Sequence, residues 1–124
     1  MSKFRFQDLE IWKRSVNLTD SLFDLADKLE EEKQFRFAEQ LRGASLSISN
    51  NIAEGSGSLS IRDFGRFLNI AHRSAFEVAN MLFILNKRKL ITNKQMQHEL
   101  EEIDEISRMI QGFIRSLYKK ENGQ

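Results

Sequence analysis

Along four stretches of the chain, apolar residues recur at alternating steps of three and four, and polar runs separate the stretches. That period stacks side chains on one face of a helix, so each stretch reads as an amphipathic α-helix. The first helix is predicted over about residues 8–29, where Leu9, Trp12, Val16, Thr19, Phe23 and Ala26 set a stripe. Ile11, Leu18, Leu22, Leu25 and Leu29 widen it, and so broad a face packs on more than one neighbour. Asp8 is expected to cap its start, and Glu30, Glu31, Glu32 and Lys33 form the first polar break. The second helix is predicted over about residues 34–54, with Phe37, Leu41, Ala44, Ile48 and Ile52 as its stripe. The acidic run before it suits the positive end of its dipole. Leu46-Ser47-Ile48-Ser49 alternates as a strand does, but the three-four spacing continues on both sides and decides for helix. Gly55 is expected to end the helix as a left-handed cap and to open the loop Gly55-Ser56-Gly57-Ser58.

The third helix, over about residues 60–89, has the clearest pattern: Ile61, Phe64, Leu68, Ala71, Ala75, Val78, Leu82 and Leu85. Ser60 and Asp63 form an expected capping box, and Lys87, Arg88 and Lys89 supply cations where the helix dipole is negative. The fourth, over about residues 92–119, opens on a second box, Thr92 with Gln95, and carries Met96, Leu100, Ile103, Ile106, Ile110, Phe113 and Leu117. Its acidic first half and basic end match its own dipole, and Glu121 to Gln124 is expected to fray. Short connections return each helix against the last, which predicts an all-α, antiparallel up-down-up-down four-helix bundle in a single domain over residues 1–124.

Composition narrows the rest. With 124 residues, 40% hydrophobic and 30% charged, the chain can bury a core without staples. It has no proline, which fits a nearly all-helical chain because proline is expelled from helix interiors. It also has no cysteine, which removes disulfides, thiolate metal sites and cysteine nucleophiles. No run approaches the roughly 18 apolar residues of a membrane span. Met1 to Glu10 mixes charges with phenylalanines and lacks the apolar core of a signal peptide. The expectation is a cytoplasmic protein with no membrane partner.

The third helix carries more than one apolar face. At about 100° per residue, Arg62, Arg66, Asn69, Arg73, Asn80 and Lys87 line the side opposite its stripe. Phe76 and Phe83 lie beside that line, two turns apart, and Ile70, Met81 and Ile84 lie on the other flank. A helix apolar nearly all round is buried all round, and the other helices of one bundle rarely cover every side. Phe76, Phe83, Ile84 and Met81 are therefore candidates for a contact between copies of the chain. The alternative is a thicker internal core that takes in Phe4 and Phe6. Arg62, Arg66, Arg73 and Lys87 are candidate phosphate contacts for RNA or a ribonucleoprotein, with Phe76 placed to stack on a base. A solvated face, or arginines bridging subunits, is the competing reading, and a net charge of +1 favours it.

Catalytic machinery is not expected. A di-iron bundle needs Glu-x-x-His motifs, but His72 is preceded at that spacing by Asn69 and His98 by Gln95. Gly55-Ser56-Gly57 lacks the Gly-Lys-Ser/Thr of a phosphate loop, and Ser45, Ser47 and Ser49 lack a histidine–acid partner. No cofactor, metal or small-molecule substrate is implied. The small polar residues of the second helix are unusual, because serine and asparagine compete for backbone hydrogen bonds. Asn50, Asn51 and Glu54 either form a polar cluster or serve only the helix end.

The segment Gln40-Leu41-Arg42-Gly43-Ala44-Ser45-Leu46-Ser47-Ile48-Ser49-Asn50-Asn51-Ile52-Ala53-Glu54-Gly55 resembles the signature of the 23S rRNA intervening-sequence proteins. Phe6-Gln7-Asp8-Leu9-Glu10-Ile11-Trp12-Lys13 looks like the start of that family. Phe64, Arg66-Phe67-Leu68, Ile70-Ala71, Arg73-Ser74-Ala75 and Glu77 look like its third-helix block. The chain departs from the pattern at Gly43, often basic in the family, at Ser49, often proline, and in the first connection, where proline is usual. The resemblance implies a bundle, a ring-shaped homopentamer and no established enzymatic activity. A similar branch serves as the accessory variability protein of diversity-generating retroelements, where a basic ring binds reverse transcriptase and nucleic acid. The combined expectation is a non-catalytic oligomer that binds RNA or a ribonucleoprotein, with a protein-interaction scaffold as the alternative.

Overall fold

Each of the four apolar stretches becomes one long helix in the computed structural model, which describes residues 3–123. α1 spans Glu10–Glu31, α2 Phe35–Ser56, α3 Ile61–Lys87 and α4 Asn93–Glu121, with a short 3-10 turn over Arg5–Asp8 before them. No strand occurs among the described residues. A helix of 22 residues is about 33 Å long, and the connections at residues 32–34, 57–60 and 88–92 are too short to travel back along it. Neighbours therefore run in opposite directions. Thr19 meets Ser45 while Asp27 meets Arg42, and Ser47 meets Ser74 while Gly55 meets Phe64. Likewise Phe64 meets Phe113 while Asn86 meets Asn93. Arg14 on α1 and Glu102 on α4 close the square. The bundle is antiparallel and up-down-up-down.

One core runs its length, with Leu18, Leu22, Leu29, Leu41, Ile48, Ile52, Phe64, Leu68, Leu82, Leu85, Ile106 and Ile110 fully buried. Each such side chain contributes about 1.5–3 kcal/mol by leaving water. On α1 the inward stripe is Ile11, Leu18, Leu22, Leu25, Ala26 and Leu29; of the residues read as the primary stripe Ala26 is fully buried, Val16 is exposed, and Leu9, Trp12, Thr19 and Phe23 are half-buried at the margin. Both sets have three-four spacing; Ser15 hid the true one. Ser15 is buried because its hydroxyl donates to the Ile11 carbonyl at 2.6 Å, which removes the cost of an unpaired polar group.

The helix ends separate local chemistry from packing. Thr92 and Gln95 form the expected reciprocal box: Thr92 Oγ1 accepts from the Gln95 amide at 3.1 Å, and Gln95 Oε1 from the Thr92 amide at 2.8 Å. Ser60 Oγ accepts from the Asp63 amide at 3.1 Å, but the Asp63 carboxylate turns to Arg66, so that box is half made. Asp8 does not cap α1. The 3-10 turn incorporates it, Leu9 takes the cap position, and Asp8 pairs with Lys3 at 2.9 Å. That pairing holds the Asp8 carboxyl below its ordinary range. α4 continues through Glu121, two residues past its expected end, and Asn122 and Gly123 form a turn after it, while Gln124, like Met1 and Ser2, lies outside the described residues.

Gly55 is not a left-handed cap. α2 continues through Ser56, and Gly55 is a buried helical residue. A Cβ on it would stand 2.7 Å from Phe67 Cβ and 2.9 Å from Phe64 Cδ1. Glycine is required there by the approach of α3, not by backbone conformation. The left-handed positions are instead Lys33 (φ 63°) and Lys89 (φ 62°). In each, the following amide reaches back to close the helix, Gln34 to the Leu29 carbonyl at 2.8 Å and Leu90 to Leu85 at 2.9 Å.

The N-terminal segment packs at the end of the bundle where α1 and α3 begin. Phe6 packs at a tilt against Trp12 with ring centroids 4.9 Å apart, Phe4 stacks on Phe6 at 5.6 Å, and the Arg5 guanidinium lies over the Phe64 ring at 5.1 Å. This corrects the thicker-core alternative for α3: Phe4 and Phe6 cover neither Phe76 nor Phe83, which stay exposed.

Two stability predictions follow from these backbone positions. Gly55→Ala lowers unfolding free energy by about 1–3 kcal/mol, whereas Gly43→Ala, on α2 with nothing within 4 Å of its added methyl, raises it by up to about 1 kcal/mol; urea melts compare them. Lys33→Gly and Lys89→Gly each raise stability by about 1 kcal/mol, because a β-carbon is costly in the left-handed region; the same melts measure this.

Candidate functional site

The core stripe of α3 is met by α2 on one side and α4 on the other. The α2 side is built from small residues. Ser47 and Ser74 hydroxyls bond at 2.8 Å, and Asn51 donates to the Ser47 carbonyl at 2.7 Å and to its hydroxyl at 3.0 Å. This is the polar cluster of the second helix, and its membership differs from the one expected. Asn51 belongs to it, but Asn50 and Glu54 are exposed, and Ser47 and Ser74 take their places. Sequence reasoning missed Ser74 because the signal is spatial: a serine on the next helix at the height of Ser47.

The α4 side carries the aromatic residues. Phe76 is 61% exposed and Phe83 56%, and Ile84, on the other flank of α3, is 43% exposed. Met81 does not join them. At 8% exposure it is part of the internal core, because its position turns it toward the bundle with Val78 and Leu82. Phe76 and Phe83 wall a groove of about 400 Å³ between α3 and α4, whose other lining includes His72, Ala79, Leu100 and Ile103. His72 packs on Phe76 at 4.8 Å between ring centroids. Its Nε2 is buried with no hydrogen-bond partner among the described residues, and burial pushes the imidazole below its ordinary value. His98 lies elsewhere, exposed at the seam between α1 and α4.

All four candidate cations are exposed, and two already have acidic partners. Arg66 bonds Asp63 at 2.6 Å and lies over the Phe67 ring at 5.0 Å. Those hydrogen bonds hold the Asp63 carboxyl below its usual range. Arg62 meets Glu121 at 3.6 Å. Arg73 and Lys87 are exposed farther along α3. At about 1.5 Å per residue, the stripe from Arg62 to Lys87 is spread over ~37 Å.

Ion pairs on other faces escaped the sequence. Arg14 forks onto Glu102 with bonds of 2.9 and 2.8 Å, and Ser21 hydrogen-bonds the buried Glu99, so the α1–α4 seam is closed by polar groups. Arg42 gathers Asp27, Glu30 and Glu39 at 2.7, 3.2 and 2.8 Å. Glu30 thus serves a cross-helix pair as well as the acidic run assigned to the dipole of α2. Among the described residues no helix is long and apolar enough to cross a membrane.

Fold and site define a four-helix bundle whose third helix displays an aromatic face beside α4. The sequence matches the family model of the 23S rRNA-intervening sequence protein over residues 7–112, and the chain belongs to that family. It is also similar to a solved protein of unknown function from the S23 ribosomal protein family of Bacteroides thetaiotaomicron VPI-5482. The two share 28% identity and superpose with a TM-score of 0.81, covering 84% of this chain and 97% of that one. No curated protein matches the sequence.

Ser74→Ala removes one partner of the α2–α3 hydroxyl pair while Asn51 still serves Ser47. The expected loss is about 1 kcal/mol of stability, read from thermal unfolding, with helicity unchanged.

Proposed function

We propose that the chain is a cytoplasmic, non-catalytic building block that assembles with copies of itself through the outer face of α3. The observation that carries this reading is the exposure of Phe76 and Phe83, 61% and 56%, two turns apart on one line of one helix. Covering a phenylalanine completely contributes about 1.5–3 kcal/mol, so the pair supplies a few kcal/mol per contact. Ile84, 43% exposed, lies on the other flank of the same helix. The opposite side of the bundle, where α1 meets α2, exposes Val16 at 38% and Leu46 at 40%. Two unlike apolar patches on opposite sides suit a head-to-tail contact, the kind that generates a closed ring. The homopentamer implied by the family resemblance is such a ring. In support of a non-catalytic role, the two histidines line separate grooves.

RNA binding is the second reading. It is favoured by the exposure of Arg62, Arg66, Arg73 and Lys87 along the helix that carries the phenylalanines. It ranks below self-assembly because Glu121 and Asp63 already neutralise Arg62 and Arg66, and phosphate affinity grows with the number of free cations.

Light scattering with and without bulk RNA tests both. The wild type is expected at several times the mass of a single chain, the double variant Phe76→Glu/Phe83→Glu at one chain mass with full helicity, and neither changed by RNA at physiological salt. A monomeric wild type removes the assembly reading. RNA retention that disappears in Arg66→Ala/Arg73→Ala moves the conclusion to the basic stripe.

A further inference from the structure

The groove between α3 and α4 contains one titratable group whose chemistry the assembly reading leaves unused. His72 lies beside Phe76, with ring centroids 4.8 Å apart and an Nε2 that is buried and unpartnered among the described residues. A neutral imidazole tolerates this position at the cost of one missing hydrogen bond. An imidazolium does not, because it needs both ring N–H groups solvated or paired, and a buried charge costs far more than a buried dipole. We infer that His72 makes the α3 contact between copies pH-sensitive: neutral His72 permits docking on the groove, and protonated His72 releases it. This inference rests on the self-assembly reading and specifies its regulation.

The groups around the imidazole do not offset the charge. From α4 the facing charged residues are Asp104 and Arg108, which pair with each other at 3.1 Å. Ser107 and Gln111 are the neutral polar groups on that wall. On α3 itself Arg73 and Glu77, one residue and five residues further along, are exposed to water and of opposite sign. The Phe76 face offers an imidazolium about 0.5–1 kcal/mol in a wet site, less than the desolvation it opposes. Burial alone already depresses the imidazole in a single chain.

A second copy seated on Phe76 and Phe83 removes more water from the same ring, so the assembled state binds fewer protons than the separated one. The sign follows: association is strongest at neutral pH and weakens as pH falls through the value of His72 in the separated chain, which burial already holds below the ordinary histidine value. The limiting slope is about tenfold in the association constant per pH unit per contact.

Sedimentation velocity at pH 7.5 and 5.0, with circular dichroism at each pH, tests this on wild type, His72→Phe and His72→Gln. The expected result is an assembled wild type at pH 7.5 that dissociates into helical single chains at pH 5.0, at least tenfold weaker in association. Both variants, which cannot protonate there, are expected to stay assembled. A wild type assembled equally at both pH values overturns the inference and leaves the assembly reading standing. Variants that dissociate in acid as the wild type does also overturn it, because another group is then responsible. A wild type monomeric at pH 7.5 removes both. Should a variant fail to fold, an NMR titration of the wild type decides. The His72 midpoint is expected to be lower in the assembly than in monomeric Phe76→Glu/Phe83→Glu; equal midpoints overturn the inference.

Discussion

α2 and α3 approach so closely that a single methyl group does not fit between them at Gly55. The rest of α3 follows from that contact. At the Gly55 end the seam is closed by Phe64 and Phe67 against the glycine, and farther along it is lined by Ser47, Ser74, Ala71 and Ala75. Hydroxyls held this close to another helix must be paired, and the Ser47–Ser74–Asn51 set pairs them. Beyond Phe67, the rings of His72, Phe76 and Phe83 lie on the α4 side of α3. Phe64 is covered there, against Phe113 at 5.5 Å. Phe76 and Phe83 wall the groove beside α4 but stay more than half exposed. The exposed aromatic face is the counterpart of a close-packed seam on the other side of one helix.

The parts of the fold legible from the residues are those set by period and by neighbours in sequence. The inward residues of α2, α3 and α4 follow a three-four rhythm, and the Thr92–Gln95 box needs only four consecutive residues. The misread parts depend on partners distant in sequence. Gly55 has two possible reasons to be glycine, backbone conformation and close approach, and only the position of Phe64 and Phe67 decides between them. α1 offered two stripes of equal spacing, and the buried one contains a serine that pattern reasoning counts as polar, although its hydroxyl is satisfied within its own helix. Lys33 and Lys89 take the left-handed conformation because packing and the reaching amides of Gln34 and Leu90 outweigh the preference for glycine.

The candidate site divides in the same way. Phe76 and Phe83 were identifiable because they lie off the core stripe, and Met81 was not separable from them because its position is near the stripe's edge. The shared face of Arg62, Arg66 and Arg73 was legible, and so in principle was Asp63, three residues before Arg66 on one helix face. Glu121 was not, because it comes from the far end of α4 to meet Arg62.

Charge separates the two kinds of partner. A surface that holds phosphate needs cations with no competing anion. Here α3 pairs Arg66 within itself and Arg62 with α4, and Arg42 on α2 is enclosed by three carboxylates. The chain ends near neutrality at +1. Near-neutrality works the other way for self-association: copies with little net charge repel each other little, so the few kcal/mol from covered phenyl rings is not spent against Coulomb repulsion. It also makes one added charge consequential. In a highly charged assembly a protonated histidine is one charge among many, whereas in the α3–α4 groove, with Asp104 and Arg108 already paired, protonation of His72 would change the charge and hydration of the proposed contact.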